Sequence, residues 1–115
     1  TPEEWLALSR PMLRPEVNGT VRLHYDPTIG LPMQGVTPEM AAAGEQLLWK
    51  LYDQIQADTL VLRGAESDLL SAATAQAMTE RGPRAHLVEF AGVGHAPTLV
   101  SLDQIAAVLA FLCGV

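Results

Sequence analysis

Only one cysteine, Cys113, occurs in the 115 residues, so neither an intrachain disulfide nor a cysteine-paired metal cage supports the fold. Cys113 reads as a small apolar residue at a helix end. Basic residues are also few: seven (Arg10, Arg14, Arg22, Lys50, Arg63, Arg81, Arg84) stand against thirteen acidic ones, for a net charge of -6. They are scattered rather than gathered on a stripe, which excludes nucleic acid and anionic membrane surfaces as expected partners. No apolar run approaches the ~18 residues that span a bilayer, and TPEEWLALSR lacks the basic and then apolar profile of a secretory signal. The expected setting is soluble, reducing and cytoplasmic. What the chain does have is apolar content, 49% hydrophobic with mean hydropathy +0.18, which is that of a core-forming domain rather than a disordered tail.

Residues 2 to 10, PEEWLALSR, place Pro2, Glu3 and Glu4 at the start of an apolar turn and predict a short helix. GTVRLHYDP, residues 19 to 27, alternates Val21, Leu23 and Tyr25 with Arg22, His24 and Asp26, the period of a half-buried strand that Pro27 ends. Residues 27 to 38 are dense in proline and glycine and read as an irregular connection. Thr37 and Pro38 then open a helix reaching about Gln56, with Leu47, Leu48, Leu51, Tyr52 and Ile55 at helical spacing.

Beyond residue 57 the pattern changes. TLVLRG (59–64) and AHLVEF (85–90) are short apolar runs expected of strands buried on both faces of a parallel sheet. A helix from about Ser71 to Arg81, ended by Gly82 and Pro83, lies between them. Ser101 and Gln104 form a capping-box pair for a last helix with Ile105, Val108, Leu109 and Leu112 on one face. Strand, helix, strand, helix is the signature of parallel α/β architecture. Two parallel strands do not make a domain, so the sheet needs neighbours that these residues do not supply.

Active groups in parallel sheets lie on the loops that leave the C-terminal ends of strands. Here those loops are GAESDLLS, with Glu66 and Asp68, and AGVGHAP, with His95. Adjacent parallel strands bring them side by side. A carboxylate and an imidazole so placed are the proton-handling members of a Ser-His-Asp triad: the imidazole takes the proton of a weak hydroxyl nucleophile, and the carboxylate fixes its tautomer and stabilises the imidazolium. Gly92 and Gly94 give the histidine turn access to positive φ and leave one face of the ring open. Either Glu66 or Asp68 can be the loop's acid by position alone.

In TLVLRGAESDLL, LVEFAGVGHAPTL and DQIAAVLAFL the chain resembles the α/β-hydrolase family, over residues 57 to 113, with acid before histidine in that family's order. The resemblance implies a partial α/β-hydrolase fold, parallel strands with flanking helices and the N-terminal half of the sheet absent. It implies Asp68, at the head of DLL, as the triad acid and His95 as the general base, without a cofactor or metal. HYDPTIG and LLWKLYDQI look more loosely like that family's junction of lid and core, so residues 1–36 are read as the end of a lid with its connection and 37–115 as the C-terminal part of the core. The family's G-x-S-x-G elbow and HGGG segment do not occur; Ser9, Ser67, Ser71 and Ser101 all lack the glycine frame. The chain thus reads as a C-terminal fragment inactive by itself, whose missing parts precede residue 1. The expected partners are a small-molecule substrate in the parent protein, and either the missing half of the domain or a second copy covering the sheet edge.

The expected parent is a hydrolase of small carboxylic ester-like substrates. C–C bond hydrolysis, or a dehalogenase or epoxide hydrolase with an aspartate nucleophile, uses the same acid and histidine, and fold alone does not choose. The contrasting class is a non-enzymatic α/β interaction module in which Asp68 and His95 are structural, the carboxylate serving only near a helix N-terminus. His24 and Asp26, two apart on a strand, make a weak metal pair without further ligands. Trp49 and Tyr52 are read as packing rather than pocket lining, and His86 is assigned no role.

Overall fold

The computed structural model describes residues 1–114, which divide into two units at Ala42 and Ala43, within the longest helix. In the first unit, helix α1 (Pro2–Ser9) starts with a capping box: Glu4 N–H donates to Thr1 Oγ1 and the Glu4 carboxylate returns to the Thr1 amine at 2.6 Å. A 3-10 turn (Arg10–Met12) leads into a hairpin of β1 (Leu13–Pro15) and β2 (Val21–Leu23), paired antiparallel with Arg14 opposite Arg22. The hairpin turn is closed by Glu16 N–H to Thr20 O at 2.8 Å, and Gly19 takes φ +83, a conformation that favours glycine.

The predicted strand over 19–27 is therefore only three residues long, and it is exposed rather than half-buried. Among the described residues this ribbon pairs with no third strand, so its alternation has little to bury against. His24 meets Arg14 across the hairpin, and Asp26 accepts from Thr28 N–H at 2.9 Å and from Thr28 Oγ1 at 2.8 Å. That Asp26 cap converts the expected irregular connection into a 3-10 helix over Pro27–Met33.

Helix α2 (Pro38–Tyr52) stops about four residues short of the expected end. In the second unit, strands β3 (Leu60–Gly64) and β4 (His86–Phe90) pair in parallel register, Leu60 with His86 through Gly64 with Phe90. Helix α3 (Ala72–Glu80) crosses between them with Ser71 as its N-cap, and α4 (Leu102–Cys113) closes the described chain at a left-handed Gly114. Val61, Ala75, Ala85 and Phe90 form the small core where α3 lies against β4. The end of α2 is tied to α3 by Tyr52 Oη donating to Met78 O at 2.8 Å, and Arg81 reaches back to pair with Asp53 while stacking 4.3 Å over the Trp49 ring. The Arg81 guanidinium holds the Asp53 carboxyl below its ordinary pKa.

The expectation of strands buried on both faces holds only in part: Val61, Arg63, Gly64 and Phe90 are buried, whereas Leu60, Leu62, Leu87 and Val88 are half-covered. Leu109 and Leu112 of α4 are exposed. A folded monomer of 12.3 kDa is expected to expose about 6,100 Å², and dividing its mass between two independent globules raises that to only about 7,300 Å². This chain exposes 8886 Å², and no large side chain is fully buried among the described residues. No helix among the described residues is long and apolar enough to cross a membrane.

Candidate active site

Parallel pairing of β3 and β4 sends the chain out of the same end of both strands, so the loop after Gly64 and the loop after Phe90 leave together. Backbone bonds stitch these loops: Ala65 N–H donates to Phe90 O at 2.9 Å and Glu66 N–H to Val93 O at 3.0 Å. Their contact is close because β3 ends in glycine. A Cβ on Gly64 would lie 1.9 Å from Gly94 O and 2.3 Å from Val93 O, so any side chain there would force the loops apart.

Of the two glycines around the histidine, one behaves as expected and the other does not. Gly92 takes φ +70, which favours glycine, but Gly94 does not have positive φ; its carbonyl instead packs on Gly64. The predicted capping box at α4 is not formed. Ser101 makes no side-chain cap, and the buried Gln104 reaches past it to accept from Leu99 N–H at 2.8 Å. Leu99 has φ +57, so Gln104 pins the left-handed residue that returns the histidine loop to the helix.

His95, Asp68 and Glu66 all reach the surface. Among the described residues no hydrogen bond joins His95 to either carboxylate. The ring meets Ser67, with Oγ 3.0 Å from Nδ1. Ser67 Oγ also accepts from Leu70 N–H at 3.0 Å, and Ser67 N–H donates to Gly64 O at 3.0 Å. The acid loop is therefore a tight turn closed on itself, with Asp68 and Leu69 exposed at its tip.

Beneath it lies Arg63, 5% exposed. Its Nε donates to Leu70 O at 2.8 Å, and its guanidinium pairs with Glu89, the residue opposite it on β4. A buried cation needs such partners to offset its lost hydration. Here one of them is the peptide that ends the acid loop, so the ion pair also anchors the loop. Arg63→Met is expected to lower stability by about 2 kcal/mol, less than a fully buried pair because Glu89 stays wetted. Chemical denaturation checks this; an unchanged midpoint would show that the loop holds its shape without Arg63.

Ser67, Gly64, Arg63 and Gln104 carry roles that the sequence reading missed. Only Ser67 left a usable signal, a hydroxyl three residues before a free N–H in a turn-rich stretch. Among the described residues there is no group of three or more His, Cys, Asp and Glu side chains that can hold a metal ion.

No protein-family model matches the chain. It is 45% identical over 118 residues to a 3-hydroxybutyrate-oligomer hydrolase from Cupriavidus necator, a match covering 99% of this chain and 40% of that protein. An α/β hydrolase of known structure from Novosphingobium aromaticivorans superposes with a TM-score of 0.77 at 34% identity, over the whole of this chain and 39% of the other. The fold is shared as well with E-2-(acetamidomethylene)succinate hydrolase, TM-score 0.62 at 23% identity, over 96% of this chain and 44% of that one. The chain thus spans about two fifths of the length of the proteins it matches. Its fold is a partial α/β-hydrolase fold, and in sequence it is similar to the C-terminal part of such hydrolases.

Proposed function

We propose that the chain is the acid- and histidine-bearing part of a hydrolase that cleaves small carboxylic esters through a Ser-His-Asp triad, with the nucleophile carried elsewhere in the full-length protein. The reading rests on one observation above all, the stitched pair of loops at the ends of β3 and β4 that holds an imidazole beside an acid-bearing turn. The likeness to a 3-hydroxybutyrate-oligomer hydrolase supports the substrate class, because hydroxy acids join head to tail as esters.

His95 Nε2 takes the proton of the serine hydroxyl as its oxygen bonds to the ester carbonyl carbon. The tetrahedral intermediate then expels the alkoxide, which leaves as alcohol with the proton from His95. Water repeats the cycle on the acyl-enzyme: His95 takes its proton, the acid leaves and the serine regains its hydrogen. Asp68 orients the ring and stabilises its charged form, a role that requires its carboxylate to swing to Nδ1 from the exposed tip of the turn. Residues 1–36 are the end of the lid and its connection, and the rest of the sheet, or a second copy, covers the apolar faces left open here. One unpaired cysteine and the lack of a spanning helix among the described residues fit a cytoplasmic setting.

The test is to purify the full-length protein and supply dimers and trimers of 3-hydroxybutyrate alongside short-chain chromogenic esters. Release of free 3-hydroxybutyrate with single-turnover acylation is expected. Absence of turnover on every ester, from a folded protein, would overturn the reading in favour of an interaction module.

A further inference from the structure

We propose that one face of the β1–β2 hairpin, carrying Arg14, Arg22 and His24, binds the free carboxylate end of the substrate and so directs the enzyme to short hydroxy-acid oligomers in preference to neutral esters. This deepens the ester-hydrolase reading and rests on it.

The hairpin gathers basic groups that lie scattered along the chain. Strand register sets Arg14 directly opposite Arg22, and His24, whose N–H donates to Met12 O at 2.7 Å, follows at the end of the pairing. All three line one recess of about 340 Å³ together with Tyr25, Asp26 and Pro27, a volume at the lower end of the ~300–1,000 Å³ of small-molecule sites. Like charges directly opposite across an antiparallel pair repel, so this face needs a counter-charge. Glu16 supplies part of it, accepting from Arg22 Nε at 2.9 Å. Arg14 has no carboxylate partner among the described residues; its guanidinium donates to His24 Nε2. Asp26, the remaining charge in the lining, is engaged by Thr28 N–H and Thr28 Oγ1.

The donors left over match a carboxylate. A guanidinium has five N–H donors and no acceptor, so the bond to His24 leaves Arg14 further donors, and Arg22 keeps its terminal nitrogens beyond the bond to Glu16. With Nε2 accepting from Arg14, the His24 ring carries its proton on Nδ1, which is a further donor. Two guanidinium groups against the Glu16 carboxylate leave a single positive charge, which one carboxylate balances, and planar guanidinium forks suit its two oxygens. The Tyr25 ring and Pro27 give the recess apolar surface for the methyl and methylene groups next to that carboxylate. An oligomer of hydroxy acids has such a free end, whereas a simple alkyl ester has none.

The experiment uses the full-length protein, with the 3-hydroxybutyrate dimer supplied as free acid and as its carboxamide, which removes the charge at that end and keeps the internal ester. The wild type is expected to favour the acid in kcat/KM by about tenfold, through KM, a value at the low end for hydrogen bonds to a charged group because the face is wet. Arg14→Gln combined with Arg22→Gln should reduce that preference to less than about twofold. Arg14→Lys, which keeps the charge without the fork, should leave an intermediate preference. Arg10→Gln removes the same charge from outside the recess and should keep the wild-type preference. All three arginines are exposed, so these variants are expected to fold. No preference in the wild type, or an undiminished one in the double variant, would overturn the inference. If the wild type hydrolyses neither compound, the ester-hydrolase reading fails instead, and calorimetric binding of the acid dimer decides the site: binding lost in the double variant supports it, and binding absent from the wild type or unchanged in the double variant overturns it.

Discussion

His95→Ala in the full-length protein is expected to lower kcat on short esters by about a thousandfold, or about 4 kcal/mol of transition-state stabilisation, with the fold intact. The two halves of that expectation have separate causes. The ring is exposed and its hydrogen bond is to the half-buried Ser67, so its loss opens no cavity and strands no charge; stability should move by no more than about 0.5 kcal/mol. Activity falls because these two loops hold no second imidazole to take a hydroxyl proton. Burst kinetics separate the two steps His95 serves, and both acylation and deacylation should slow. Full turnover by the variant would exclude His95 from the chemistry.

Gly64→Ala is the second large effect, and it acts through space rather than through charge. The added Cβ would sit 1.9 Å from Gly94 O and 2.3 Å from Val93 O. Both are backbone atoms and cannot rotate away, so the histidine loop must separate from the acid loop. A cost of about 3 kcal/mol or more is expected in denaturant unfolding. Any protein that still folds should lose hydrolysis with it, because the stitched loops that carry Asp68 and His95 would no longer stand together. Gly94→Ala is the matched comparison: a Cβ there meets nothing within 4 Å and the backbone φ is not positive, so stability should change by less than about 0.5 kcal/mol. Equal effects at the two glycines would mean that the loops do not rely on this close approach.

Hydrophobic patterning made the second unit legible. TLVLRG and AHLVEF have the short continuous apolar character that suits a strand of a parallel sheet, and the helices between and after them have turn chemistry at both ends; all four elements appear within about two residues of expectation. The first unit was read less well for a physical reason. The alternation over 19–27 is a real period of two, but its apolar face has no partner among its neighbours, and three residues of strand survive. The capping pair Ser101 and Gln104 failed differently: a glutamine that can return to its own cap can equally reach two residues beyond it, and Leu99, strained at positive φ, offered the more exposed need.

Local patterning fixes the order of elements and puts a carboxylate and an imidazole at the ends of consecutive strands, because periodicity and turn residues are local properties of the chain. Tertiary structure alone decided which atoms meet. That Nδ1 of His95 finds Ser67, that a buried Arg63 holds the end of the acid loop, and that Gly64 is glycine for want of space all depend on the register of β3 against β4. Register is a long-range choice, made by burying Val61, Ala75, Ala85 and Phe90 together, and no window of neighbouring residues contains it.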